Sequence, residues 1–265
     1  MRYGAMNFPI RPVLEEIELV SKMAFDYLEL TMDPPEAHHA TLRRDGTKIR
    51  ATLERSRLDL VCHLPSFLST ADLTPSLRSA SVQEIRDSLR VASDLGALKV
   101  VLHPSFVVGL GVLVLDQARE YARESLEAVV EQADRLGLTL CLENMFPASN
   151  SLVRPEDFAP VLAAFPSLRL TLDIGHAHVG NADGSRFLGF VDAFPDRLAH
   201  IHASDNSGRG DDHLPIGAGT IDFARVAGAL RGIGYDQTVT LEVFSRDRDY
   251  LRISREKLDR LLTGA

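Results

Sequence analysis

Short apolar runs rich in β-branched residues alternate with longer amphipathic stretches along the whole chain. Eight short runs have strand character: 2–7, 27–31, 58–63, 99–103, 139–143, 169–174, 198–203 and 238–243. Their length and residue types suit strands buried on both faces. Between them, residues 12–23 place Val13, Ile17 and Val20 on one helical face, and residues 76–95 repeat Leu77, Ala80, Ile85, Leu89 and Ala92 at helical spacing. Residues 115–136, 155–165, 223–233 and 252–262 follow the same rule. Leu95-Gly96, Leu136-Gly137 and Ile233-Gly234 each put a glycine just past a helix, where a left-handed cap is needed. Residues 41–56 and 185–194 are weaker helices that the alternation requires.

Eight strand-then-helix units in a row predict an α/β protein with a parallel sheet and helical crossovers. For 265 residues, a closed (β/α)8 TIM barrel fits better than an open doubly wound sheet. No linker-like composition or low-complexity tract divides the chain, so residues 1–265 read as one domain. No glycine-rich phosphate fingerprint follows any strand, which weakens a nucleotide-binding reading.

Composition then narrows the setting. The start, MRYGAMNFPIRP, has no apolar core of a secretion signal, and no apolar run is long enough to span a bilayer. Cys62 and Cys141 lie inside apolar runs and form no disulfide framework, so a cytoplasmic protein with reduced thiols is expected. A formal charge of −8 argues against nonspecific binding to nucleic acid, although a local basic groove would offset it. A homo-oligomer is compatible with everything so far.

The chemistry is concentrated at strand ends. Strands three to eight close on His63, His103, Glu143, Asp173, His202 and Glu242. In a (β/α) barrel those ends converge on one mouth, where active sites form. Any one of them alone reads more readily as a hydrogen-bonded structural histidine or a rim carboxylate. Together, carboxylates gathered at one mouth repel each other unless a cation joins them. Imidazole and oxygen ligands without thiolate suit zinc, manganese, cobalt or magnesium. His176 follows Asp173 by three positions in LDIGHAH, and Asp211 and His213 form an Asp-x-His pair in HIHASDNSGRGDDHLPIGAGTID, residues 200–222. Structural roles are expected for His178, for His200 (deeper than His202) and for Asp212, which should point away from the site. His38 and His39 are expected to be exposed in a polar loop.

These motifs, VVLHP, LENM, LDIGHAH, HIHASDN and DDHLPIGAGTIDF, resemble the xylose isomerase-like TIM-barrel superfamily over nearly the whole chain. That superfamily holds sugar and sugar-phosphate isomerases and epimerases beside the endonuclease IV group. Resemblance to the epimerase branch implies one divalent ion on Glu143, Asp173, His202 and Glu242. Zinc and manganese are the foremost candidates. It also implies that Glu143 and Glu242 exchange protons on opposite faces of the carbon beside a carbonyl, through a metal-stabilised enediolate. His176 would contact the carbohydrate substrate, and Arg209 would be a candidate for substrate oxygens or a phosphate. Resemblance to endonuclease IV implies three zinc ions. His63, His103 and Glu143 would serve one; Glu143, Asp173, His202 and Glu242 a second; and His176, Asp211 and His213 the third. DNA is a partner only under that alternative, and a lyase or dehydratase using the same chemistry is a further one. Two departures count against the nuclease: an acidic TMDPPEAHH after strand two with no tryptophan anywhere, and Ala218, where many relatives of both branches carry Gly-Glu-Gly.

Overall fold

The computed structural model describes residues 1–264, and its eight parallel strands close into a barrel in sequence order. They are β1 (Arg2–Met6), β2 (Tyr27–Thr31), β3 (Asp59–His63), β4 (Val100–Leu102), β5 (Leu140–Glu143), β6 (Arg169–Asp173), β7 (Leu198–Ala203) and β8 (Thr238–Leu241). The seam closes where β8 pairs with β1, setting Arg2 against Thr238 and Ala5 against Leu241. The crossover helices are α1 (Val13–Ser21), α2 (His39–Ser56), α3 (Pro75–Leu95), α4 (Leu115–Leu136) and α5 (Pro155–Ala164), then α6 (Ile174–His178), α7 (Ser185–Ala193), α8 (Phe223–Gly232) and α9 (Asp249–Thr263). Gly96 and Gly137 adopt left-handed φ values of 81° and 67° and cap α3 and α4, as a residue without a Cβ does at no steric cost.

Because strand side chains alternate, each strand offers one set to the helices and one to the interior. Leu28, Leu30, Leu60, Cys62, Val100 and Leu102 join the buried layer beneath the helices. Tyr27, Val61 and Val101 form a separate interior cluster. The interior is unusually polar for a barrel core. The Tyr27 hydroxyl meets Thr240 Oγ1 at 2.9 Å, and Lys99 Nζ donates to the Ala199 carbonyl at 2.7 Å and to Thr238 Oγ1 at 2.9 Å. Gly4 is required here: a Cβ at that position would run into the Tyr27 ring.

One expectation is corrected, the exposure of His38 and His39. Leu77 and Ala80 do not join the core; they lie in the exposed first turns of α3 and line a cavity at the barrel mouth, while Ser81, Ile85, Leu89 and Ala92 carry the buried face. β6 ends at Asp173 because the chain turns at once into α6, which carries His176 and His178. His38 and His39 are partly buried at the start of α2, with both Nε2 atoms on Glu84 Oε1 at 2.8 and 3.2 Å. No helix among the described residues is long and apolar enough to cross a membrane.

Candidate active site

The alternation that builds the wall also builds the site. His63, Glu143 and Asp173 are the last residues of β3, β5 and β6, and His202 is the penultimate residue of β7. His103 and Glu242 sit one residue beyond β4 and β8. Each is the uppermost inward position of its strand, so six side chains from six adjacent strands meet at the C-terminal mouth.

Glu143 lies at the centre. Its Oε2 is 3.4 Å from His63 Nε2 and 3.2 Å from His103 Nε2. Its Oε1 is 3.2 Å from His202 Nδ1 and 3.3 Å from His176 Nδ1. His202 Nδ1 also lies 3.4 Å from Glu242 Oε1 and 3.8 Å from Asp173 Oδ2. One ligand atom from each of Glu143, Asp173, His202 and Glu242 falls within 4.8 Å of the others, and the same holds for His63, His103 and Glu143. A third group hangs on the loop after β7. There Asp211 Oδ2 joins His176 Nε2 at 3.2 Å and His213 Nε2 at 2.9 Å.

The protonation pattern follows from this crowding. Burial pushes the Glu143 carboxyl upward, but His202 and His103 beside it hold it well below the usual carboxylate range. Burial raises Glu242 to about 7 against the pull of His202. Asp173 is also raised, by burial and by the charge of Glu143, and its Oδ2 is buried without a hydrogen-bond partner among the described residues. Burial disfavours charge on His202, yet Glu242, Glu29 and Glu143 raise it well above the ordinary histidine range. Crowded carboxylates, neighbouring histidines and an orphaned carboxylate oxygen are what a divalent cation would neutralise. The four residues Glu143, Asp173, His202 and Glu242 therefore fit such an ion, as does the flanking His63, His103 and Glu143 group.

Glu29 was missed in the sequence. It projects inward from the middle of β2 and is fully buried. Its Oε1 accepts from His202 Nε2 at 3.0 Å and its Oε2 from His200 Nε2 at 2.9 Å, with Thr240 Oγ1 donating as well. His200 lies beneath His202, its Nδ1 2.6 Å from Thr238 Oγ1. With Nε2 of His202 committed to Glu29, Nδ1 is the nitrogen turned toward Glu143, Asp173 and Glu242.

The loop after β7 is tied down by Asp205, another residue the sequence did not single out for a role. Its buried carboxylate accepts from the backbone N–H groups of Asn206, Gly217, Gly219 and Ile221 at 2.9–3.1 Å. Asp205 and Leu214 also exchange two backbone hydrogen bonds, the bridge that follows Asp211 and His213. Gly219 passes so close to the Asn206 carbonyl and the Asp205 carboxylate that a Cβ would collide with both. Asp212 points to Ser207, accepting from its N–H and hydroxyl, and His178 Nε2 meets Thr220 Oγ1 at 2.9 Å. Neither belongs to the cluster. Arg209 does not either: it is exposed on the loop and does not line the cavity above the site.

That cavity measures about 870 Å³ and opens above His63, His103, His176, Asp211, His213 and Glu242. Aromatic rings stand on two sides. Phe106 is 6.3 Å from His103, Phe146 is 5.1 Å from His176, and Phe244 is 4.8 Å from His213.

A family model described as "Xylose isomerase-like TIM barrel" matches residues 17–263. The chain is 28% identical over 273 residues to "Uncharacterized protein MJ1311" of Methanocaldococcus jannaschii, covering 97% of this chain and 92% of that protein. It is 25% identical over 244 residues to the L-ribulose-5-phosphate 3-epimerase UlaE of Escherichia coli, covering 88% and 82% respectively. Among solved structures, a D-tagatose 3-epimerase-like protein superposes with a TM-score of 0.86 at 25% identity, over 100% of this chain and 98% of that one.

Proposed function

Because the chain belongs to the xylose isomerase-like TIM-barrel family, we propose that it is a divalent-metal-dependent isomerase or epimerase of a sugar or related polyhydroxy carbonyl compound. The observation that carries this reading is the convergence of Glu143, Asp173, His202 and Glu242 on one point, with the Asp173 Oδ2 atom unpartnered. The similarity to named sugar epimerases supports it. A divalent ion held by those four side chains supplies Lewis acidity to the oxygens beside the reacting carbon. The protein's own residues do the rest. Glu143 and Glu242 come from β5 and from just after β8, three strands apart around the barrel, so they approach a bound substrate from different sides. One glutamate, as the carboxylate, takes the proton from the carbon next to the carbonyl, and the other, entering as the carboxylic acid, delivers its own proton to the opposite face, so the pair ends with its protonation exchanged. His176, fixed through Nδ1 on the Asn144 carbonyl at 2.9 Å, presents Nε2 toward Asp211 at the cavity wall and orients substrate hydroxyls.

The test is solvent exchange. The zinc- or manganese-loaded protein should exchange the α-proton of at least one member of a panel of ketoses, aldoses, inososes and keto-glycosides in deuterium oxide, read by NMR. Glu143→Gln and Glu242→Gln should each slow exchange by about 100-fold or more. No exchange across the panel would sink the proposal.

A second reading has its own observation. His63 and His103 on Glu143 Oε2 add room for a second cation, and Asp211 stands between His176 and His213 at the cavity wall. Clustered ions suit phosphodiester cleavage, as in endonuclease IV. Incision of an abasic-site duplex by the zinc-loaded protein, lost in His103→Ala, is what that reading requires.

A further inference from the structure

Within the epimerase reading, on which this rests, we infer that the substrate is an uncharged glycoside: a carbonyl-bearing sugar ring carrying an apolar or aromatic aglycone, and not a sugar phosphate. Three observations converge on that chemistry.

The first is charge. Among the described residues, no lysine or arginine lines the cavity, and its ionisable walls beyond the histidines are Asp33, Glu84, Asp211 and Glu242. A phosphate would enter an acidic chamber with no guanidinium or ammonium to meet it, although bidentate arginine contacts are the common solution for phosphate recognition. Arg11 and Arg248, which flank β1 and β8 in sequence, are committed to Glu16, and Arg209 lies outside the lining.

The second is size. A space of about 870 Å³ lies near the upper end of the roughly 300–1,000 Å³ range that encloses drug-sized ligands. A bare pentulose or hexulose seated on the carboxylate cluster would leave most of it to water.

The third is what fills the remainder. Phe67 stacks near Phe106 at 6.4 Å, Phe106 meets Phe146 at 6.2 Å, and Phe146 meets His176 at 5.1 Å. This forms a continuous aromatic wall from the rim, where Phe67 is 83% exposed, down to the cluster. Leu77 and Ala80 of α3 extend the same rim. Aromatic faces accept the C–H side of a sugar ring and apolar rings equally, and they offer nothing to an anion. The inner end recognises hydroxyls and a carbonyl, and the outer end a hydrophobic substituent.

Binding and turnover separate this inference from the reading beneath it. With the manganese-loaded protein, NMR titration should show phenyl glucoside binding about tenfold to hundredfold more tightly than glucose, the gain expected from burying one aromatic ring. Glucose 6-phosphate and inorganic phosphate should bind no better than glucose. Phe67→Ser, at a position too exposed to unsettle the fold, should cut the preference for phenyl glucoside severalfold. Tighter binding of the phosphorylated sugar, or equal binding of phenyl glucoside and glucose, overturns the inference whatever the exchange assay gives. So does a Phe67→Ser protein that keeps its preference but dissociates from dimer to monomer, because the rim would then be covered by a second copy. Absence of α-proton exchange with any sugar, by contrast, removes the epimerase reading itself.

Discussion

Replacing Glu29 by glutamine removes one charge from beneath the site without changing the shape of the side chain. Glu29 is 0% exposed and shares its two oxygens between His202 and His200, at 3.0 and 2.9 Å. Its carboxylate, held well below the usual range by His202 and His200 despite burial, accepts on both sides. A glutamine can accept on one side only, so its amide N–H group faces either His202 Nε2 or His200 Nε2, donor against donor. Relief requires one imidazole to change tautomer. For the neutral His202 that a bound cation requires, that change would put the proton on Nδ1, the atom turned toward Glu143, Asp173 and Glu242. Partners that fix the far nitrogen of a ligating histidine are typically worth about 10- to 100-fold in metal affinity, or about 1.4–2.7 kcal/mol. Glu29→Gln should therefore bind zinc or manganese about 10- to 100-fold more weakly, measured by competition with a chromogenic chelator, while near-UV circular dichroism reports an intact fold. Glu29→Ala leaves two buried imidazoles uncompensated and should cost about 3 kcal/mol of stability or more in denaturant unfolding. A folded Glu29→Gln protein whose metal affinity is within twofold of the parent would refute the positioning role.

Two more predictions bear on the loop and on protons. Asp205→Ala strips the acceptor from four backbone N–H groups and should destabilise the protein by about 3 kcal/mol, with amide exchange accelerated first over residues 206–221; uniform protection across that loop would contradict the account. Metal binding should weaken as pH falls from about 9 to about 7. Glu143, against the effect of burial, raises His63 to about 9, Asp211 does the same for His213, and burial raises Glu242 to about 7. Each must lose its proton to become a ligand, so lower pH favours the protonated, ion-free form by about tenfold per proton per pH unit. Titration calorimetry in buffers of different ionisation enthalpy should register proton release, and none would contradict the assignment of those ligands.

How much of this was legible depends on whether a residue announces itself by position or by partnership. The strands and their order were readable because strands covered on both faces give short apolar runs, and the glycines after α3 and α4 mark the returns. His63, Glu143 and Asp173 were readable for the same reason: a polar residue closing an apolar strand stands out, and barrel geometry says where it points. His176, three positions after Asp173, and the Asp-x-His pair of Asp211 and His213 stood out by spacing, but their roles came from the resemblance, since their approach depends on α6 and on a loop whose path the pattern does not specify. Helical periodicity identified the face that carries Leu77 and Ala80 but cannot tell where along α3 the core stops.

Glu29 is the instructive omission. YLELT reads as a strand with one polar interruption, and a lone glutamate between two leucines looks like a solvated edge position. Yet β2 lies between β1 and β3 in a closed barrel, where every position of the strand is buried. A glutamate that must be buried needs a partner of opposite character. By strand alternation, the inward residues at comparable depth include His200 and His202 of β7, almost directly across the barrel. The fold prediction therefore already contained the reason to pair Glu29 with those histidines. The ligands are fixed by where strands end, and the residue that aims one of them is found by asking what each inward charge, one layer down, has to face.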